Sequence, residues 1–281
     1  MPHKKEPANL SSVVLFFYRM FYFVMLAFLI GITIQTLLQV FGIVGFLVFY
    51  ILVFVACVTV HEIGHLLGAI LVKFYLSMFS VGFLSFIRIR DRWTIKLNRY
   101  ILLGGFTLAA PLDDQHIDKR LVVWTIGGPL MGILYGLACF GLYLLLPPQM
   151  AEPEGVLSQN MFAILQAWFL ANGCFSLLIA IHSLIPDQSW SATSDGYKLL
   201  QYWRNSEEAR AMKYIYLISG AAQAGVRPRD WQPDYIGKLL QNSSTPNRRM
   251  QAFYYQYLYA LDLGEIEKAG RSLDQALLLC R

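Results

Sequence analysis

The sequence predicts an α-helical integral membrane protein with about four transmembrane helices, a short cytosolic β-hairpin and a C-terminal helical cytosolic region. Three observations carry this. The chain of 281 residues is 56% hydrophobic and only 15% charged, where soluble domains average about 25% charged. Its apolar runs exceed the roughly 20 residues needed to span a bilayer. Lys and Arg are spread unevenly over the segments between those runs. The net charge of +5 therefore reads as a membrane-topology signal and not as a nucleic-acid footprint.

Residues 1–12 are polar and include Lys4 and Lys5. The apolar run over 13–40 contains one charged residue, Arg19. A basic start before an apolar run is also the pattern of a signal peptide, but this run is too long for an h-region and has no small-x-small cleavage site. It reads as a first transmembrane helix at about 20–40. Gly42 and Gly45 mark a turn, and a second span covers about 43–73. Residues 79–90 show partial alternation, followed by Trp93-Thr94-Ile95-Lys96-Leu97, which predicts a β-hairpin. Gly104-Gly105-Phe106 suggests a bend against the membrane core.

A third span is expected at about 121–146. It carries Gly128, Gly132 and Gly136 at four-residue spacing, a ridge on which another helix can pack closely. Pro147-Pro148 ends it. The fourth span covers about 160–185 and ends at Pro186. Residues 197–281 are polar, charged and helical in pattern, with a linker or turn at 242–247. The stretch 253–277 predicts a helical hairpin turning at Gly264. It resembles part of one tetratricopeptide repeat, with Tyr257 where that repeat usually has Gly.

Lys73, Arg88, Arg90, Arg92, Lys96, Arg99, Lys119 and Arg120 lie between spans two and three. The loop 149–159 has Glu152 and Glu154 and no Lys or Arg. Both termini and the middle loop are thus expected in the cytosol. Three regions follow: 1–42, an N-terminal tail and first helix; 43–200, a membrane core; 201–281, a cytosolic helical tail. Cys57, Cys139, Cys174 and Cys280 are scattered without paired spacing, so neither a disulfide framework nor a cysteine metal site is indicated.

The chemistry concentrates in His61-Glu62-Ile63-Gly64-His65, an H-E-x-x-H pattern. Residues four apart share a helix face, so His61 and His65 can present two imidazoles to one metal ion. Glu62 can then take the proton of an attacking water. Within 43–71 no other acidic or basic side chain occurs, and ionisable groups at membrane depth are costly enough to mark a functional site. At 1.5 Å per residue His65 lies roughly 12 Å from Lys73 along a helix, submerged but nearer one face. A catalytic zinc usually has a third protein ligand. His3 and His116 lie in polar segments and are expected to be solvated. His182 lies at membrane depth. Asp195 follows the fourth span on the cytosolic side, where Thr193-Ser194-Asp195-Gly196 also reads as a helix N-cap.

These residues resemble the site-2 protease family of intramembrane zinc metalloproteases. That family pairs H-E-x-x-H with an N-x-x-P-x-x-x-x-D-G element near a later helix. Asp195-Gly196 matches the D-G, and Ser183-Leu184-Ile185-Pro186 matches the N-x-x-P with serine for asparagine. Eight residues, not four, lie between Pro186 and Asp195. Gly104-Gly105-Phe106 resembles the family's G-G-[FY], and Gly128-Pro129-Leu130 its G-P-L, with Gly132 where an asparagine is expected. The resemblance covers about 43–200.

The resemblance implies Zn2+ held by His61, His65 and Asp195, with Glu62 catalytic. It places His182, Ser183, Gly105 and Phe106 at the substrate. The implied partners are a membrane-protein substrate and the lipid bilayer, with a cytosolic protein on the C-terminal helices as a further expectation and no nucleic acid. The implied location is a bacterial plasma membrane. Two competing readings are a catalytically silent family member that holds membrane proteins, suggested by the altered asparagine position, and a metal transporter using the same histidines and aspartate.

Overall fold

The computed structural model describes residues 12–89, 92–97, 104–146, 156–187 and 193–280, with only some of the side chains before residue 42. Helix α1 runs Ser12–Leu71 and is broken at Gly42 (φ 64°, ψ −175°). The Thr33 and Tyr50 hydroxyls hydrogen-bond across that break. Residues 17 apart on a straight helix would be separated by roughly 25 Å, so the chain turns back on itself at Gly42. The expected turn is therefore real but rests on Gly42 alone, because Gly45 is helical. A positive φ favours glycine, which has no Cβ to clash.

Three described helical segments are long and apolar enough to cross a membrane: Gly42–Leu71, Ile117–Leu145 and Met161–Leu184. The expected first span at 20–40 is helical, although most of its side chains fall outside the described residues. Helix α2 is Ile117–Leu145 and α3 is Val156–Leu184, matching the third and fourth expected spans. The turn at Pro147-Pro148 and the acidic loop beyond it lie outside the described residues.

Lipid offers helices little hydrophobic drive to associate, so close packing and polar contacts must hold them. The α1–α2 crossing is a backbone contact: a Cβ on Gly64 would lie 2.2 Å from the Gly127 carbonyl oxygen, and one on Gly127 2.4 Å from that of Gly64. Gly68 lies against Trp124 in the same way. The expected ridge divides its work. Gly132 and Gly136 admit Ala180 and Leu177 of α3, while Gly128 faces His65. Buried Asn172 ties three segments together. Its Nδ2 donates to the Trp168 carbonyl at 2.9 Å, and its Oδ1 accepts from Tyr135 at 3.1 Å and from Cys57 Sγ at 3.6 Å.

Between α1 and α2 lies a four-stranded antiparallel sheet in the order β3-β2-β1-β4. The strands are β1 (Tyr75–Val81), β2 (Leu84–Ile89), β3 (Arg92–Leu97) and β4 (Gly105–Ala110). This corrects the single hairpin in two ways. The run 79–90 is not one arm, because Gly82 turns at φ 55° and pairs Val81 with Leu84. Gly105 and Phe106 are not a bend but the start of β4, opposite Val81 and Ser80. Alternation over 79–90 looks continuous because the two-residue turn preserves the period of 2 across it.

Beyond α3 come α4 (Asp195–Trp203), α5 (Glu207–Gln223), a 3-10 turn at Pro228–Asp230, α6 (Pro233–Asn242), α7 (Pro246–Asp262) and α8 (Ile266–Leu278). Ser194, Ser206 and Thr245 cap α4, α5 and α7 by accepting backbone N–H bonds. The hairpin expected over 253–277 is formed by α7 and α8, with Gly264 at φ 81° between them and Ala269 and Ala276 buried. Helix α5 is joined to the core. Leu217 is buried with Ala69, Phe74, Ala109, Ile117, Leu121 and Trp124. A Cβ on Gly220 would meet the Pro111 carbonyl at 2.1 Å, and Lys213 pairs with Asp118 at 3.1 Å.

Candidate active site

One turn of α1 separates His61 from His65, and their rings stand 4.9 Å apart at 80°. Asp195 is the first residue of α4, and its Oδ2 lies 3.4 Å from His61 Nε2 and 3.2 Å from His65 Nε2. One donor atom from each of the three falls within 4.8 Å of the others, and among the described residues this is the group of that kind. His61, Glu62, His65 and Asp195 each keep only 8–9% of their surface exposed.

Asp195 does not serve as the helix cap. That role falls to Ser194, whose Oγ accepts from the Tyr197 N–H at 3.1 Å. The same hydroxyl donates to the Ile185 carbonyl at 2.6 Å and accepts from the Asp187 N–H at 2.9 Å. The Ser194 N–H donates to the Asp187 carbonyl at 3.0 Å. The long insert is thus closed at its base, while residues 188–192 lie outside the described residues. Gly196 lets α4 press on the end of α3: a Cβ there would lie 1.8 Å from the Leu184 carbonyl oxygen. The arm is brought to α1 by these two contacts, whatever the length of the loop between them.

The donor set can be tested for a cation. The neighbour of His65 Nδ1 is the Trp124 carbonyl at 3.1 Å, which can only accept. Nδ1 therefore carries the proton, and in a neutral ring Nε2 is a bare lone pair. That lone pair faces a carboxylate oxygen at 3.2 Å, an arrangement of two acceptors that either a second ring proton or a cation between them resolves. A backbone carbonyl fixing the tautomer of a ligating histidine is the usual outer-shell device. Two imidazoles and a carboxylate are a common catalytic zinc set. The residues fit the metal.

The second carboxylate, Glu62, is held from the sheet. Thr107 Oγ1 on β4 donates to Glu62 Oε2 at 2.7 Å, with the Glu62 carbonyl at 3.2 Å. Gly105, two residues earlier on the same face of β4, leaves room for the acid: a Cβ there would lie 2.3 Å from Glu62 Cγ. Gly128 does the same for His65, with a virtual Cβ 2.3 Å from Nε2. Lys198, one turn along α4, reaches Asp195 Oδ1 at 3.4 Å. Burial works against the Asp195 carboxylate, but the two imidazoles and Lys198 more than offset it and hold the group below the ordinary carboxylate range. Burial also works against the Lys198 ammonium, and Tyr216, Asp195 and Glu62 together raise it above the ordinary lysine value.

The structure brings Gly105 to Glu62, with Phe106 on the opposite strand face and 46% exposed. His182 and Ser183 are not part of the three-residue group. His182 is exposed, and the Ser183 hydroxyl donates to the Ala180 carbonyl at 2.9 Å within its own helix. His116 is exposed, with φ 48° just before α2. His3 lies outside the described residues. Thr107, Lys198, Gly64 and the Trp124 carbonyl were not anticipated. The signals existed for three of them: Thr107 is two residues from Gly105, Lys198 is three from Asp195, and Gly64-x-x-x-Gly68 is itself a close-packing pattern. Nothing in sequence identifies which carbonyl a ring nitrogen will meet.

Compared with known proteins, residues 49–263 match the family model described as Peptidase family M50. That range contains every residue of the group above. No curated protein and no solved structure matches the chain.

Proposed function

Because the chain belongs to peptidase family M50, a family of membrane metalloproteases, we propose that it is an intramembrane zinc metalloprotease that hydrolyses peptide bonds of membrane-embedded proteins. The observation that carries this reading is the convergence of His61, His65 and Asp195 beside Glu62, on a helix of membrane-spanning length.

His61, His65 and Asp195 would hold the zinc ion, which when bound supplies Lewis-acid polarisation of the scissile carbonyl and an attacking water that ionises near neutral pH. Glu62 accepts the proton of that water and returns it to the leaving amine. Thr107 occupies Oε2 of Glu62, leaving Oε1 as the oxygen that exchanges the proton. A membrane helix hides its carbonyls in its own hydrogen bonds, so the substrate must be unwound where it is cut. Strand β4 supports a means of holding it, because among the described strands it pairs only with β1 and its start lies against Glu62. An extended substrate can add along that edge, past Gly105 and Phe106. In this reading His182 and Ser183, at the end of α3, meet the substrate from the other side. The helix before Gly42 is a fourth span, both termini are cytosolic, and the membrane is a bacterial plasma membrane. Nothing among the described residues marks a protein partner on the C-terminal helices, and none is proposed.

The test compares membrane-protein fragments in cells carrying the intact protein or Glu62→Gln. A fragment that requires Glu62 establishes proteolysis and identifies a substrate together. Identical fragments, with zinc still bound to both forms, would replace this reading by the silent relative. The observation favouring that second reading is the serine at position 183, which spends its hydroxyl on its own helix.

A further inference from the structure

Asp195 uses its two carboxylate oxygens differently. Oδ2 faces both histidines, while Oδ1 faces the Lys198 ammonium at 3.4 Å. An acid and a lysine three apart on an exposed helix make an ordinary pair that adds little. This pair is not exposed: the Lys198 side chain keeps 22% of its surface and that of Asp195 10%. Two carboxylates, Glu62 and Asp195, share one buried site, and Lys198 sets a positive charge beside Asp195. A carboxylate free to turn about its last bond can offer a metal either oxygen or both. One whose Oδ1 is claimed by an ammonium offers a single oxygen in a fixed direction.

We propose that Lys198 is a positioning residue for the metal ligand Asp195, holding Oδ1 so that Oδ2 alone points to the space between His61 and His65. The proposal rests on the metal-site reading above.

The test uses the full chain purified in detergent, with zinc affinity read by chelator competition and the visible spectrum read after cobalt substitution. Lys198→Met is expected to weaken zinc binding by about 10–100-fold, the usual cost of losing an outer-shell partner, and to change the cobalt band intensity. Lys198→Arg, which retains a donor and a charge, is expected to restore most of the affinity. In an Asp195→Asn background Lys198→Met should add nothing further, because its effect passes through that carboxylate. If Lys198→Met does not fold, as judged by thermal unfolding of the metal-free protein, Lys198→Gln is read in its place with the same expectation of weakened binding. Unchanged zinc affinity and an unchanged cobalt spectrum in a folded variant overturn the proposal and leave the protease reading intact. Intact protein that binds no zinc overturns both.

Discussion

His61 and His65 stand one turn apart on a regular helix, whereas Asp195 reaches the same point as the first residue of α4, beyond an insert whose ends are hydrogen-bonded together. The first half of the group is built by local geometry. A helix of any origin that carries H-x-x-x-H presents both rings on one face. The second half is built by closure, through the hydrogen bonds of Ser194 to Ile185 and Asp187 at the start of the insert and the glycine contact of α4 on α3. Two parts of one site can therefore fail separately. The helical half is lost when its side chains are lost, and the arm is lost when its anchors are.

The largest effects should come from the ligands, and these should be alike on both sides of the comparison. His61→Ala and Asp195→Ala are each expected to lower zinc affinity by at least about 100-fold, since each removes one of three protein ligands. Chelator competition checks this. Wild-type affinity in Asp195→Ala would show that the arm is not part of the group. Next come the glycine anchors. Gly196→Ala puts a methyl group 1.8 Å from a backbone oxygen, and Gly64→Ala one 2.2 Å from another. Neither neighbour is a movable side-chain tip, and overpacking of this kind costs typically about 1–3 kcal/mol. In the arm variant α4 can move off the end of α3 to relieve the contact, so it should lose zinc affinity with little change in thermal unfolding of the metal-free protein. The helix-crossing variant should lower the unfolding temperature as well. Equal behaviour in both assays would erase the distinction.

The smallest effect expected is that of Ser194→Ala. It removes a helix cap worth about 1 kcal/mol together with two bonds that close the insert. We expect zinc affinity to fall several-fold and thermal stability of the membrane core to stay unchanged. Ser194→Thr, which keeps the hydroxyl, should recover most of the loss. An unaltered affinity in Ser194→Ala would show that Gly196 packing alone sets the arm.

The same division explains what sequence could reveal. The H-E-x-x-H helix, the span boundaries of α2 and α3, the turn at Gly42 and the α7–α8 hairpin each follow from periodicity or from punctuation by glycine and proline, which are local properties. The sheet was half legible. Trp93, Ile95 and Leu97 alternate with polar neighbours on an exposed edge strand, so β3 stood out. In β1 the apolar residues are half-buried on both faces, and in β4 all but Phe106 are buried or half-buried, so neither strand gives an alternation to read. Asp195 could be named only through a family pattern, because the eight-residue insert hides its approach to α1. Thr107 and Lys198 remained unseen although each sits at the spacing its role requires. A threonine on a strand and a lysine on a helix are ordinary until the carboxylate they meet is known.

The closed base of the insert has a consequence for how the arm is recognised in a sequence. With Asp187 and Ser194 bonded to one another, the start of α4 is tied to the end of α3 by those bonds and not by the number of residues that join them. A sequence pattern for this arrangement therefore need not fix the gap between Pro186 and Asp195, because Ser194 and Gly196 set the ligand's place.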